Sequence, residues 1–202
     1  DRYDDYSHEI QISDPMGTKF SSIYGFNNSL LIGKVDNSDF RACGLFTCDY
    51  DNDQDGFFDK FNGWEKGGAQ VIEVNAESGL TKHFSNKCLK VSNVFGATRN
   101  TKIIQGKDYI FSAWVNVKSG TLMMSAELRT YSGDDAVYPL DGSKLSAPQS
   151  QTPPSKQIGI TNGWQYVEFS IPASTLTGNN WYIRAWIGNP NGVLAYMDDI
   201  RI

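Results

Sequence analysis

Four aspartates fall within the nine residues Asp51-Asn52-Asp53-Gln54-Asp55-Gly56-Phe57-Phe58-Asp59, a D-x-D-x-D-G-x-x-D loop. Carboxylates at alternate positions can converge on one hard cation. Gly56 allows the sharp turn, the Phe57 carbonyl can add a backbone oxygen, and Asp59 can ligate directly or through water. The expected cation is calcium, held by Asp51, Asp53, Asp55 and Asp59. Like charges this close repel unless a cation or solvent screens them. The alternative is an Asp/Asn-rich surface turn that binds nothing.

A second constellation follows from strand periodicity. In Tyr109 to Val117 every odd position is apolar, while the even positions mix Ile110 with Ser112, Trp114 and Asn116. The same two-residue period runs through Leu122 to Tyr131, Tyr166 to Ile171 and Trp181 to Gly188. If Phe111, Ala113, Val115, Met124, Ala126, Leu128, Val167, Phe169, Ile183, Ala185 and Ile187 face a core, the opposite faces carry both aromatic and charged side chains. Sugar rings stack their C–H patches on Trp or Tyr, and their hydroxyls bond in plane to carboxylate or guanidinium groups. The expected ligand-binding residues are therefore Trp114, Tyr182, Arg184, Trp186, Glu127, Arg129 and Tyr166, and the expected ligand is a polysaccharide or other glycan. The competing expectation is that Trp114 or Trp186 packs beneath a long loop or against residues 1–40.

Other chemistries find less support. The two histidines, His8 and His83, and the three cysteines, Cys43, Cys48 and Cys88, have neither zinc spacing nor a catalytic Cys–His arrangement. Cys43 and Cys48 flank Gly44 and can close a short disulfide loop in an exported protein; otherwise the three cysteines are small half-buried hydrophobes. Glu127, Glu168, Asp134 and Asp135 offer carboxylates but no singled-out pair of the glycosidase kind, so no enzyme is expected. A net charge of −5, with no basic stripe, argues against nucleic acid. No apolar run approaches the ~20 residues of a membrane span. A first residue of Asp rather than Met suggests a processed product or a piece of a longer polypeptide.

The elements that must position these residues are strands. Val71 to Val74, Leu89 to Val91 and Leu194 to Ile202 read as further short strands, and turn residues punctuate the chain at Lys118-Ser119-Gly120, Asn162-Gly163 and Asn189-Pro190-Asn191-Gly192. No window carries a capped 3.6-residue apolar stripe, so helix should make up less than about a tenth of the chain. Gly133 to Ile158, rich in Ser, Gln, Pro and Asp, reads as a surface excursion. Residues 1–40 differ in texture, with Glu9 to Ser13 and Phe20 to Val35 reading as two or three strands. Many short strands at this spacing predict an all-β sandwich or barrel.

Several segments then resemble known families. The acidic loop resembles the calcium loops of dockerin-like and thrombospondin type 3-like repeats, although its twelfth position is Asn62 where an EF-hand carries Glu. Thr47-Cys48-Asp49-Tyr50-Asp51, Trp64-Glu65, Ser85 to Val91, Gly106 to Val115, Gly163 to Phe169 and Ala195 to Ile200 resemble, in order, landmarks of carbohydrate-binding modules of the family 4/9/22 type. That resemblance implies a two-sheet antiparallel jelly-roll sandwich of the galactose-binding-like kind, without catalytic machinery. It also implies a structural calcium held by Asp51, a backbone carbonyl near Lys87, and Asp199. Ile10 to Gly17 and Ser22 to Val35 resemble the linking segment before such a sandwich in large secreted Rhs/YD-repeat-type proteins of Bacteroidetes. The implied organisation is a β-rich linking segment over 1–40 and a jelly-roll domain over 41–202, secreted or at the cell surface, with neighbouring domains of the same polypeptide as partners. The alternative it carries is a structural or adhesion domain with no glycan ligand.

Calcium that binds the native state alone should raise the melting temperature by mass action. Melts in chelator and in millimolar calcium should separate, with metal found by elemental analysis; superimposable curves and no metal would reject the calcium site.

Overall fold

The computed structural model describes residues 1–3, 7–25, 30–39, 42, 45–46, 57–58, 64–83, 86–133, 142–149, 153–175 and 181–202. Within them the chain forms β1 (Arg2–Tyr3), β2 (Glu9–Ser13), β3 (Lys19–Gly25), β4 (Leu30–Asp36), β5 (Leu45–Phe46), β6 (Phe57–Phe58), β7 (Trp64–Glu65) and β8 (Gln70–Glu73). There follow β9 (Lys87–Ser92), β10 (Phe95–Lys102), β11 (Tyr109–Ser119), β12 (Leu122–Thr130), β13 (Ser155–Ile158), β14 (Gln165–Ile171), β15 (Trp181–Gly188) and β16 (Leu194–Arg201). Helical residues among those described are confined to short 3-10 turns, as at Val74–Ala76 and Ala173–Thr175. β1 to β4 make a meander in their own four-stranded sheet. The remaining strands form a two-sheet antiparallel jelly-roll sandwich. One sheet runs β13-β12-β15-β10-β7-β6, and the other runs β14-β11-β16-β9-β8 with β5 also on β16.

The alternation of the central strands dictates this packing. Phe111, Ala113, Val115 and Val117 of β11 are fully buried, and they meet Met124, Ile183, Ala185 and Ile187 of the other sheet in one core cluster. All eleven residues read from the alternation as core belong to that cluster, with Leu128 and Phe169 at its partly buried margin. Trp64 of β7 lies 6.3 Å from Phe111 between ring centroids, so a ring from each sheet touches across the core. Full burial of each large apolar side chain contributes about 1.5–3 kcal/mol.

β10 and β13 depart from the sequence reading, as do the two-residue strands β1, β5, β6 and β7. β10 was not expected, because its inward positions are Ala97, Arg99 and Thr101 and show no apolar run. Arg99 is 1% exposed, and its Nε donates to Thr101 Oγ1 at 3.3 Å. The excursion over 133–158 is not loop throughout: its end is β13, which pairs with β12 from Leu122↔Ile158 to Ser125↔Ser155. Four exchanged positions suffice for a strand whose own residues, Ser-Lys-Gln-Ile, carry almost no apolar signal.

β16 contains a bulge. Asp199 adopts φ 49°, its N–H donates to Asp198 Oδ1 at 2.9 Å, and the pairing with β11 slips between Trp114↔Asp198 and Ser112↔Arg201. The slip lets Met197 and Ile200, three apart, both face the core. The β11–β12 turn is tight in another way: at Gly120, with φ 73°, an added Cβ would sit 1.8 Å from the carbonyl oxygen of Gly192. Gly163 has a similar φ of 85° but open space around it. Gly163→Ala should therefore cost only the left-handed backbone penalty of roughly 1–2 kcal/mol. Gly120→Ala should cost at least about 3 kcal/mol, because backbone must move. Equal shifts in chemical denaturation midpoints would contradict this packing.

Candidate functional site

The sandwich has two outer faces, and the chain treats them differently. On the β14-β11-β16-β9-β8 sheet, the outward residues of β9, β11 and β16 include Cys88, Lys90, Trp114, Asn116, Tyr196 and Asp198. Residues 74–83 lie across them as a strap. Val74 and Leu80 of the strap pack with Cys88 and Tyr196 in a second apolar cluster. Tyr196 donates its hydroxyl to Glu77 Oε2 at 3.1 Å, and Lys90 closes an ion pair with Glu77 Oε1. At the end of the strap the His83 ring packs at a tilt against Trp114, with centroids 4.2 Å apart, and its Nδ1 stands 3.7 Å from Asp198 Oδ2. Trp164 fastens the same end by donating its indole N–H to Thr81 O at 2.6 Å.

Electrostatics follow from this cover. Burial pushes the Cys88 thiol up to about 12, with the carboxylates of Asp198 and Glu77 adding to the effect. Burial likewise raises the Tyr196 phenol to about 12, helped by its bond to Glu77. The hydrogen bonds from Lys90 and then Tyr196 hold the Glu77 carboxyl below its ordinary value. Burial lowers His83, and the charge of Asp199 offsets part of that. Cys88 is thus an inert, protonated packing group.

Among the described residues, the outer face of the other sheet carries a cleft. Rows of outward residues cross that face as Glu65–Thr98–Trp186–Ser125 and Asn100–Arg184–Glu127 in the strand registers. Of these, Glu65, Thr98, Trp186, Arg184 and Glu127 join Phe95, Met123, Arg129 and the Asn189–Asn191 turn in lining a cleft of about 600 Å³, within the range of small-molecule sites. Trp186 is half-buried in it and held in place. Its ring meets Phe95 edge-on at 5.3 Å and 87°, and its Nε1 donates to Glu127 Oε1 at 2.9 Å. Glu127 in turn accepts from Arg129 Nε at 2.9 Å, and Arg129 Nη1 donates to Ser146 O at 2.9 Å, tying the 142–149 segment to the cleft wall. A hollow of about 510 Å³ along β8 is lined by Lys66, Ala69, Gln70, Val71, Ile72, Glu73 and Lys87. Among the described residues it presents no ring to a sugar.

The seven expected binding residues are therefore not one platform. Trp186, Arg184, Glu127 and Arg129 come together in the cleft. Trp114 and Tyr166, whose rings lie 5.6 Å apart, sit on the opposite side of the sandwich, because β11 and β14 belong to the other sheet. Trp114 packs beneath the strap. Tyr166 is 43% exposed and donates its hydroxyl to Glu168. Tyr182 shares a face with Trp186 but is 1% exposed, with Tyr131 edge-on to it at 5.4 Å, so it supports the sheet and offers no stacking surface. Phe95, Thr98 and Met123 were not expected in the site. Phe95 and Thr98 belong to the unrecognised β10, and Met123 follows from the outward parity of β12.

Asp51, Asp53, Asp55 and Asp59, like Cys43 and Cys48, lie outside the described residues. Asp199, the remaining expected calcium ligand, occupies the bulge, with its Oδ2 3.9 Å from Arg201 Nη2. Among the described residues no group of three or more His, Cys, Asp or Glu side chains is arranged to hold a metal.

No family model matches the chain, and no curated protein matches it. Among solved structures, the CBM22-1 xylan-binding domain of Paenibacillus barcinonensis Xyn10C is 9% identical, with 69% of this chain and 84% of that domain covered at a TM-score of 0.40. The C-terminal family 22 carbohydrate-binding module of Clostridium thermocellum Xyn10B is 20% identical, with 74% and 94% covered at a TM-score of 0.35. The isomalto-dextranase of Arthrobacter globiformis T6 is 9% identical, with 83% of this chain and 24% of that one covered at a TM-score of 0.43.

The strap makes a pH prediction. Because burial lowers the native-state value of His83, the unfolded chain binds the extra proton first; stability is complete above about pH 6.5 and declines as pH falls toward the native value. A second decline begins below about pH 4.5, where Glu77 protonates more readily in the unfolded chain. His83→Gln should remove the first decline from a plot of melting temperature against pH and leave the second. An unchanged profile would show that His83 is not the group that titrates.

Proposed function

We propose that the chain is a non-catalytic glycan-binding domain of an exported or cell-surface multidomain protein, with residues 41–202 forming the binding domain and 1–40 a linking segment. The observation that carries this is Trp186. Its indole is braced by Phe95 and Glu127 at the floor of a cleft whose walls supply guanidinium, carboxylate, hydroxyl and amide groups. A pre-fixed ring costs little ordering on binding, and in-plane polar groups around it suit sugar hydroxyls. Calcium belongs to this proposal through the spacing of the four aspartates at 51–59, with Asp199 as a further carboxylate. A purely structural role in an Rhs/YD-repeat-type protein is the second reading. It is favoured by the exposed Tyr3, Ile12, Phe20 and Leu31 of the β1–β4 sheet, a surface suited to a neighbouring domain.

Truncation of the two tryptophans separates the readings. Trp114→Ala removes the ring that His83 and Tyr166 pack against, and should cost about 3–5 kcal/mol, as large-to-small changes in packed sites do. Trp186→Ala should lower the melting temperature less and abolish retention in affinity gels containing plant and bacterial polysaccharides. Failure of the parent chain to be retained by any polysaccharide would favour the structural reading.

A further inference from the structure

We propose that the cleft selects an acidic glycan, the carboxylate of a uronic acid residue pairing with Arg184 while its pyranose ring rests on Trp186. This rests on the glycan-binding reading and adds the charge of the ligand.

The inference comes from how the cleft distributes its hydrogen bonds. Arg184 stands directly across from Glu127 in the β12–β15 register, the position in which a cross-strand ion pair normally forms. Glu127 is engaged elsewhere: Oε1 accepts from the Trp186 indole and Oε2 from Arg129, both at 2.9 Å. Across the other edge of β15 the neighbour is Asn100, whose buried Oδ1 has no hydrogen-bond partner, so it does not take up the guanidinium either. Among the described residues Arg184 makes no ion pair and no hydrogen bond. Among the described residues the cleft thus holds one neutralised pair, Arg129–Glu127, and one half-buried cation without a counter-charge.

A half-buried guanidinium without a partner favours an incoming anion, and its planar fork matches a carboxylate in two-point contact. Arg184 and Trp186 are two apart on one strand and point the same way, about 6.8 Å apart along the chain. That span suits a sugar whose ring stacks while its C6 carboxylate reaches sideways. Glu65 is the one other carboxylate lining the cleft among the described residues. It lies two strands and one row away, roughly 12 Å from Arg184 by strand spacing, beyond the ~8–10 Å screening length at moderate salt.

The test uses the full chain and paired polysaccharides: pectate, alginate and glucuronoxylan, each in native form and after chemical reduction of its carboxylates to primary alcohols. β-Glucan and galactan serve as neutral polymers and dextran sulfate as a non-carboxylate anion. At least one native uronate polymer should be bound ten-fold or more tighter than its reduced form, with the difference shrinking as salt rises. Arg184→Gln should erase that difference, and Trp186→Ala should abolish binding of both forms, with melting curves confirming that each variant folds. Equal binding of native and reduced forms, or binding of the neutral polymers alone, would overturn the uronate inference and leave the glycan reading standing. Equal binding of dextran sulfate would overturn it as unspecific attraction to anions. No retention of any polymer would overturn both.

Discussion

A β-strand has only two faces, and that limit governs everything else in the sandwich. Once Phe111, Ala113 and Val115 of β11 and Ile183, Ala185 and Ile187 of β15 share one core, the even-numbered residues of both strands must leave it in opposite directions. Trp114 and Trp186 were equivalent by parity and composition. They end on opposite sides because their strands belong to different sheets.

What happens next on each side depends on who supplies the counter-charges. Under the strap, Glu77 collects Lys90 and Tyr196, and His83 covers Trp114, so Lys90, Tyr196 and Trp114 are met from within the chain. Such a network gives up ligand capacity in exchange for order. In the cleft, the corresponding carboxylate, Glu127, is divided between a tryptophan and one arginine, and the second arginine keeps its donors.

Much of this was legible in the sequence. Tyr109 to Val117 and Trp181 to Gly188 alternate so cleanly that both strands and their core sides follow from the residue order alone. Trp186, Arg184, Glu127 and Arg129 could be grouped because they sit on outward positions of strands that pair. The split of Trp114 and Tyr166 from that group was not legible, because alternation says which residues share a strand face but not which strands share a sheet. β10 escaped because a buried Arg99 replaces the apolar residue that marks a strand's inner side. The strap escaped because Val74, Leu80 and His83 have no period of their own; they are ordered by what they cover.

The position of β16 bears on how the molecule is made. This strand, the last of those described, lies between β11 and β9, with β5 paired farther along it. Until it arrives, two long strand edges in the middle of the sheet have no partner, and pairing across such sequence separation is slow. Unfilled edges invite strands from other molecules. β16 itself interrupts its apolar run with Asp198 and Asp199 at the bulge, where two adjacent charges and a left-handed kink oppose stacking with a second copy. The bulge thus sets two carboxylates and a left-handed kink at the point where a second copy would have to pair with β16.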